Sequence, residues 1–483
     1  MADKLIGIDN SGKKHVIIAK SSIGKGGIRM YDFRQNQAMA LEIAQRVAEK
    51  GGRSFYVGGL VRDALLGREN KDVDIEIHGI SPGELMEILD SLGQRMTIGE
   101  SFGIFGLKGY SLDIAMPRKE EARGTGHRDF DILVDPFIGT PAAARRRDFT
   151  CNALMQDVLT GEIVDHYGGR ADLEAGILRH VWGESFGEDP LRVLRGAQFA
   201  ARFEFCVAEE TVELCRKMDL RSLPRERIDG ELKKALLKAR HPSVFFEVLR
   251  KMDQLDDWFP ELAALIGVPQ NPVFHGEGDV WNHTMMVLDE AARLRQQVQN
   301  PYGFMLAALT HDFGKAVCTE EKNGVIHAYE HETKGLPLAE TFLRRLTGES
   351  KLIRYVLNLV ELHMKPNTVA EAQSAEKVTT RMFDRAEDPE ALVCIALADD
   401  LGRIADKPTG ANDAFLRQRL ALFRERMSQP YVMGRDLIGA GMVPGEMFTQ
   451  LLAYAHKLRL AGVEKESALK QVLGYARTLE KQK

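Results

Sequence analysis

The sequence predicts a multidomain protein: an α/β head on a mixed sheet, followed by helical domains to the C-terminus. Three observations carry this. A length of 483 residues exceeds what one ordinary core accommodates. A composition of 44% hydrophobic, 28% charged and 7% aromatic residues describes a soluble, helix-rich globular chain and excludes disordered and fibrous classes. Short apolar runs separated by Gly or charged turns give way, from Glu188 onward, to helical periodicity.

Taken in order, residues 1–50 form an N-terminal extension, whose stretch from Gln35 reads as a helix ending at Gly51 and Gly52. Residues 51–183 form the head, with SFYVGG, DVDIEI, FGIFGL and YSLDIAM as its strands. Residues 184–268 read as a helical neck and body, 269–405 as a further helical domain entered through the break GVPQNPVFHGEGD, and 406–483 as a helical tail in which SQPYVMGRD is a linker before the last helical unit. No internal repeat or low-complexity tract interrupts the pattern.

Five cysteines without a C-x-x-C pair fit reduced thiols, and no apolar run reaches signal-peptide or membrane-span length, so a cytoplasmic location without membrane contact is expected. A net charge of −5 requires any nucleic-acid contact to be local. Arg145, Arg146 and Arg147, and the stretch Arg221 to Arg227, are the candidates, set against the alternative of solvated faces.

The first chemical constellation is GGLVRDALLGRENKDVDIEI. Gly58 and Gly59 end a strand, Arg62 and Asp63 start a helix, and Asp72 and Asp74 lie two apart on the next strand. Residues two apart on a strand face the same way, so these carboxylates stand side by side. That pairing is costly without a cation, and hard oxygen ligands suit Mg²⁺ with a triphosphate. The glycines let backbone approach a phosphate, and Arg62 adds positive potential.

This run resembles the head signature of class II tRNA nucleotidyltransferases and bacterial poly(A) polymerases, members of the DNA polymerase β-like superfamily. RRRDFTCNAL at 145–154 is similar to the family's Arg-Arg-Asp motif, which implies triphosphate binding by Arg147 and ribose contact by Asp148. FGEDPLRVLRGAQFAARF is similar to its Glu-Asp-x-x-Arg helix, read here as beginning after Gly187 with Glu188, Asp189 and Pro190 in its first turn, and LPRERIDGELKKALL resembles the helix that follows. The resemblance assigns base selection to Asp189 and Arg192, with Arg195 on the same side. A carboxylate accepts and a guanidinium donates, so the pair matches the edges of C and A and rejects those of U and G. Asp113, followed by Arg118, falls where the superfamily places a third catalytic carboxylate. The loop with Gly124 and Gly126 corresponds to the segment that moves between C and A addition. Bacterial poly(A) polymerases carry a basic Gly-Arg-Arg-Phe type segment where this chain has IGESFGIFGL, which resembles the CCA-adding branch.

The second constellation is His283, the adjacent His311 and Asp312 before a Gly-Lys turn, and Asp399. Imidazoles and carboxylates gathered from helical patterns suit a divalent transition metal such as Ni²⁺ or Mn²⁺, or Mg²⁺. The set resembles HD-domain phosphohydrolases, with His331 and His363 as accessory ligands for a second metal or a substrate phosphate. His275 is a weaker candidate, and Asp399 is preferred to Asp400 because it occupies the family's Ala-Asp position. In relatives of this architecture the domain implies 2′,3′-cyclic phosphodiesterase and phosphatase activity.

The resemblance as a whole implies addition of CCA to the 3′ end of tRNA from CTP and ATP, with the acceptor stem held by shape and backbone. A CC-adding or A-adding enzyme and a poly(A) polymerase are the nearest alternatives. An HD phosphohydrolase with a nucleotide-sensing head and a non-catalytic RNA-binding protein are the rival classes. Either a monomer or a homodimer is compatible with the sequence.

Overall fold

The computed structural model describes residues 4–8, 14–18, 33–70, 72–99, 104–122, 130–404 and 409–480. Of the predicted mobile loop at 119–131, residues 123–129 with Gly124 and Gly126 lie outside them, while its described flanks are paired strand rather than loop; residues 100–103 of IGESFGIFGL and most of the first 32 residues also lie outside. Contacts divide the chain into two compact units: residues 1–223 with 248–254, and 224–247 with 255–483.

In the first unit, β1 (Lys4–Ile8) and β2 (Lys14–Ile18) form an antiparallel hairpin. The head sheet uses β3 (Arg53–Val57), β4 (Val73–His78), β5 (Arg95–Gly99), β6 (Ile104–Leu107) and β7 (Leu112–Ala115). After the separate hairpin β8 (Arg118–Ala122) and β9 (Phe130–Val134), β10 (Met155–Asp157) and β11 (Ile163–Val164) complete it. Its order is β11-β10-β3-β4-β7-β6-β5, antiparallel except for the parallel β4–β7 pair, which makes it the mixed sheet expected.

Along β4, Val73, Ile75 and Ile77 are buried on one face, while Asp74, Glu76 and His78 share the other. The helix Phe33–Glu49 packs on β3 and β4, burying Met39, Ala40, Ile43, Ala44 and Val47 at helical spacing. It ends where Gly51 takes φ +85°, as the sequence predicts. A capping box formed by Ser81 and Glu84 starts the next helix, Pro82–Leu92.

The Glu-Asp-x-x-Arg helix is shorter than expected. It runs Leu191–Phe203, and Glu188, Asp189 and Pro190 belong to a break after the short helix Gly183–Gly187. Asp189 Oδ1 accepts from the Leu191 amide at 3.1 Å, a local side-chain turn ahead of the helix. Phe149 packs edge-on against Phe186 and Phe199, which joins this helix to the head. The expected neck at 184–268 is therefore divided, with Arg225–Lys238 falling in the second unit.

The second unit is built from helices including Val280–Leu294, Pro301–Thr310, Ser350–Leu362 and Pro389–Leu401. Asp279, Asn300 and Asp388 cap the first, second and fourth through their side chains. Not everything after Glu188 is helical: Glu320–Lys322 and Val325–His327 form a hairpin. Its turn is Asn323-Gly324, both at positive φ, a hairpin signal that the helical reading passed over. The helix Asp413–Ser428 packs on Glu376–Arg385 and Pro389–Leu401, so this helical block continues past the expected boundary at 405. The tail has its own core of Leu437, Leu451, Ala455, Ala468 and Val472. Among the described residues, no helix is long and apolar enough to cross a membrane.

Candidate active sites

The head carboxylates gather at one end of the central strand pair. Asp74 and Asp113 are direct partners in the parallel register of β4 and β7. Asp72 precedes β4 by one residue and is exposed, a small correction to its expected place on the strand. Burial, the carboxylate of Asp113 and that of Asp72 push Asp74 up to about 6, against the pull of Arg147. Three oxygen-donor groups in mutual repulsion are what a hard divalent cation relieves, so the donor set fits Mg²⁺.

Gly58 and Arg147 meet beside these acids. Gly58 has φ +65°, which glycine adopts without strain, and its ideal Cβ position lies 3.4 Å from Arg147 Nη1, so the guanidinium sits against this turn. The group that fixes Arg147 was not found in the sequence: Glu76, two residues beyond Asp74 and 1% exposed. Its Oε2 accepts from Arg146 Nη2 at 3.1 Å and Arg147 Nη2 at 3.2 Å, while Oε1 lies 3.0 Å from His78 Nε2. Burial alone would raise this carboxyl, but His78, Arg147 and Arg146 outweigh it and bring it down to about 2.

A depressed carboxyl stabilises the fold above its ordinary value near 4.5 and loses that contribution as pH falls toward 2. Glu76→Gln is therefore expected to lower stability at pH 7 by about 1–3 kcal/mol and to flatten acid unfolding over that window. Thermal melts from pH 7 to 3 check both.

Arg62 is placed differently from its expected role. It is 4% exposed, its Nε and Nη2 donate to Asp63 Oδ1 at 2.8 and 2.7 Å, and Nη1 donates to Asn152 Oδ1 at 2.6 Å. Phe203 covers it, with the guanidinium carbon 4.5 Å from the ring centroid. Asp63 Oδ2 accepts from Asn70, whose Oδ1 accepts from the Asp72 amide at 2.9 Å. Arg62 thus supports the acid-bearing turn from inside the fold.

Asp148, expected at a ribose, is also engaged within the protein. Oδ2 accepts from Arg195 Nε and Nη2 at 2.8 and 2.6 Å, and Oδ1 accepts from Asn152 Nδ2 and the Phe149 amide. The motif's spacing could not reveal that these charges pair with each other. Arg192 Nη2 donates to Arg146 O at 2.7 Å and Nη1 to Ser185 O, so backbone carbonyls pin the guanidinium. Of the basic stretch, Arg221 pairs with Asp219 and Arg225 with Glu226, all exposed. These pairs have the character of a solvated surface.

The second unit gathers six side chains into two adjoining sets, His283, His311 and Asp399, and Asp312, His331 and His363. All six are buried. His311 follows the helix Pro301–Thr310, and His363 lies between Ser350–Leu362 and Met364–Glu371. His311, His331 and His363 each place Nδ1 at 2.7–2.9 Å from the carbonyl three residues earlier, of Ala308, Ala328 and Val360. A carbonyl only accepts, so Nδ1 carries the proton and Nε2 presents a lone pair inward.

Those lone pairs face one another. His331 Nε2 is 3.3 Å from His363 Nε2 and 3.2 Å from Asp312 Oδ1, and buried His311 Nε2 has no hydrogen-bond partner among the described residues. Asp312 Oδ2 lies 3.3 Å from His311 Nε2 and 3.6 Å from His283 Nε2, so one carboxylate spans both sets. Burial, with His311 and His331 beside it, takes His363 down to about 3. A crowd of buried acceptors fits divalent cations and little else.

Asp399 Oδ1 lies 3.1 Å from His283 Nε2, and its Oδ2 accepts from Arg403 at 2.6 Å; Asp400 instead accepts from the Gly410 amide. Lys315 Nζ, from the Gly-Lys turn, lies 2.7 Å from Asp312 Oδ2. A Cβ at Gly314 would come within 2.0 Å of His331 O, so only glycine lets the turn bearing Asp312 meet the segment bearing His331. Glu277 is a further residue that sequence reasoning missed. Its Oε1 reaches His275 Nδ1 at 2.8 Å and His283 Nδ1 at 3.0 Å, while Oε2 accepts from the Ile404 amide. It orients His283, and His275 belongs to that outer layer.

The family model for the poly A polymerase head domain matches residues 54–179, that for the HD domain 280–404, and that for a probable RNA and SrmB-binding site of polymerase A 204–266. The multifunctional CCA protein of Pasteurella multocida is 36% identical over 403 residues, 80% of this chain and 91% of that protein. That of Shewanella denitrificans is 34% identical over 86% of this chain and 98% of its own length. The fold is similar to that of a Thermotoga maritima CCA-adding enzyme complexed with tRNA, at TM-score 0.62 and 19% identity over 91% and 95% of the two chains. A Bacillus stearothermophilus CCA-adding enzyme in complex with CTP gives TM-score 0.58 and 22% identity, covering 94% of this chain and all of that one.

Proposed function

The chain belongs to the family of the multifunctional CCA proteins, and from that premise we propose that its head adds C, C and A to the 3′ end of tRNA while its HD domain hydrolyses phosphate esters. The observation that carries the first half is the pairing of Asp74 with Asp113, with Asp72 and the anchored Arg147 beside them. The 3′ hydroxyl oxygen of the RNA attacks the α-phosphorus of CTP or ATP, a new P–O bond forms, and the bond to pyrophosphate breaks. Asp72, Asp74 and Asp113 would hold Mg²⁺, which supplies charge to the triphosphate and acidity to the hydroxyl. Arg147, steadied by Glu76, donates to the triphosphate at the Gly58 turn. Asp148 holds Arg195 at the base-reading helix, and Asp189 with Arg192 selects C and A. Catalysis of this kind is mainly positioning and charge neutralisation.

For the HD domain, His283, His311 and Asp399 would hold one divalent ion and Asp312, His331 and His363 a second, with Asp312 between them. Four imidazoles favour Mn²⁺ or Ni²⁺ over Mg²⁺, and such ions supply an acidic water and a Lewis acid for phosphate. Lys315 adds a cation for the substrate's phosphate oxygens. A 2′,3′-cyclic phosphate at a damaged RNA end is the substrate that suits an enzyme working on that end, and tRNA as the partner of the head implies the cytoplasm.

Base choice tests the reading of the head. Wild-type protein with an RNA lacking its terminal nucleotides is expected to incorporate from CTP and ATP and to refuse UTP and GTP. Asp189→Asn, which offers a donor where the carboxylate only accepts, should reduce that discrimination roughly tenfold or more. Unchanged discrimination in the folded variant would remove Asp189 from base selection.

A further inference from the structure

Trp182 stands out among the chain's three tryptophans. It is 41% exposed, whereas Trp258 and Trp281 are 8% and 0% exposed. The guanidinium carbon of Arg145 lies 3.9 Å from the indole centroid, the shortest cation-over-ring distance among the described residues. Glu184 holds both partners: Trp182 Nε1 donates to its Oε2 at 3.4 Å, and Arg145 Nη2 lies 3.6 Å from the same oxygen. The backbone beneath is equally fixed. Trp182 O accepts from the Phe186 amide at 2.8 Å, and the Ser185 hydroxyl lies within donating distance of both Trp182 O and Arg145 O.

The same two segments accept from the Arg192 guanidinium through Ser185 O and Arg146 O. An exposed, flat indole with a guanidinium on its ring therefore stands next to the support of the arginine assigned to base reading. With one ring face covered by the guanidinium, a large part of the residue still meets solvent. Every nucleobase has a face that stacks on an aromatic ring or a guanidinium plane. Glu184 neutralises Arg145 locally, so the pair offers stacking without a strong pull on phosphates.

We propose that Trp182 and Arg145 form a stacking site for a nucleobase beside the base-reading helix, a proposal that rests on the nucleotide-adding reading of the head. The base comes either from the 3′ end of the RNA or from the incoming nucleotide.

The buried positions of Trp258 and Trp281 make intrinsic fluorescence of the full chain a direct probe. Titrations with a tRNA transcript lacking CCA and, separately, with CTP are run on wild type and Trp182→Phe. Quenching in wild type that is lost in Trp182→Phe is the expected result; quenching by the transcript alone assigns the RNA base, and quenching by CTP alone assigns the incoming base. No quenching by either ligand, or quenching that persists in Trp182→Phe, overturns the proposal. Trp182→Ala should raise KM for the stacked ligand roughly tenfold, with little change in kcat or in salt dependence, and Trp182→Phe should keep most of the affinity. A wild type that quenches but never extends the transcript would fail the head's assigned activity and leave the stacking site standing.

Discussion

Asp74→Asn is expected to reduce nucleotide addition by roughly a thousandfold or more while leaving hydrolysis at the HD domain unchanged. Asn preserves the volume but withdraws the central charge of the three-carboxylate group formed with Asp72 and Asp113. The same change should not harm the fold. Burial and the two neighbouring acids raise Asp74 from 3.8 to about 6, so its ionisation costs stability as pH rises from the first value through the second, and the cost is complete above it. Removing the charge should then stabilise metal-free protein at pH 7 by at most about 3 kcal/mol. Thermal melts, incorporation assays and hydrolysis assays on one preparation test the three statements together. Loss of both activities in a folded variant would contradict two independent sites.

The second large effect is expected at Asp312. Its two carboxylate oxygens face different histidine sets, Oδ2 toward His283 and His311 and Oδ1 toward His331 and His363. Asp312→Asn should therefore weaken both metal positions, reduce phosphohydrolase activity by roughly a hundredfold or more, and leave nucleotide addition intact. Elemental analysis of protein equilibrated with Mn²⁺ or Ni²⁺ separates this from a single-ion centre. Asp399→Asn touches only the set with His283 and His311, so it should lose one of two bound ions where Asp312→Asn loses both. Equal losses in the two variants would mean one shared ion.

The sequence made the acids and histidines visible because their spacing is short and their chemistry specific. Asp72 and Asp74 are two apart, and His311 and Asp312 are adjacent. Tertiary partners were another matter. The register that sets Asp113 opposite Asp74 depends on a crossover between strands, and the family resemblance alone suggested it. Glu76 reads as one more residue of an alternating strand until Arg146 and Arg147 fold onto it. Arg62 and Asp148 read as ligand-facing charges because a motif records which residues are present and not whether they bind each other. Pro190 is compatible with a first turn, so the sequence reads the helix from Glu188, whereas Asp189 turns onto the Leu191 amide and the helix begins at Leu191. The change in hydrophobic periodicity at Glu188 separates the sheet-bearing head from the helices, but it does not foresee that Phe149, Phe186 and Phe199 bind the first of those helices to the head.

The central claim is CCA addition, and its most direct test is a tRNA transcript lacking the terminal CCA, incubated with Mg²⁺ and CTP, ATP or both and resolved at single nucleotides. Growth by three residues with both nucleotides, followed by a stop, is the predicted result. A product that stops after two or one, a long ladder with ATP alone, or no growth at all would contradict it.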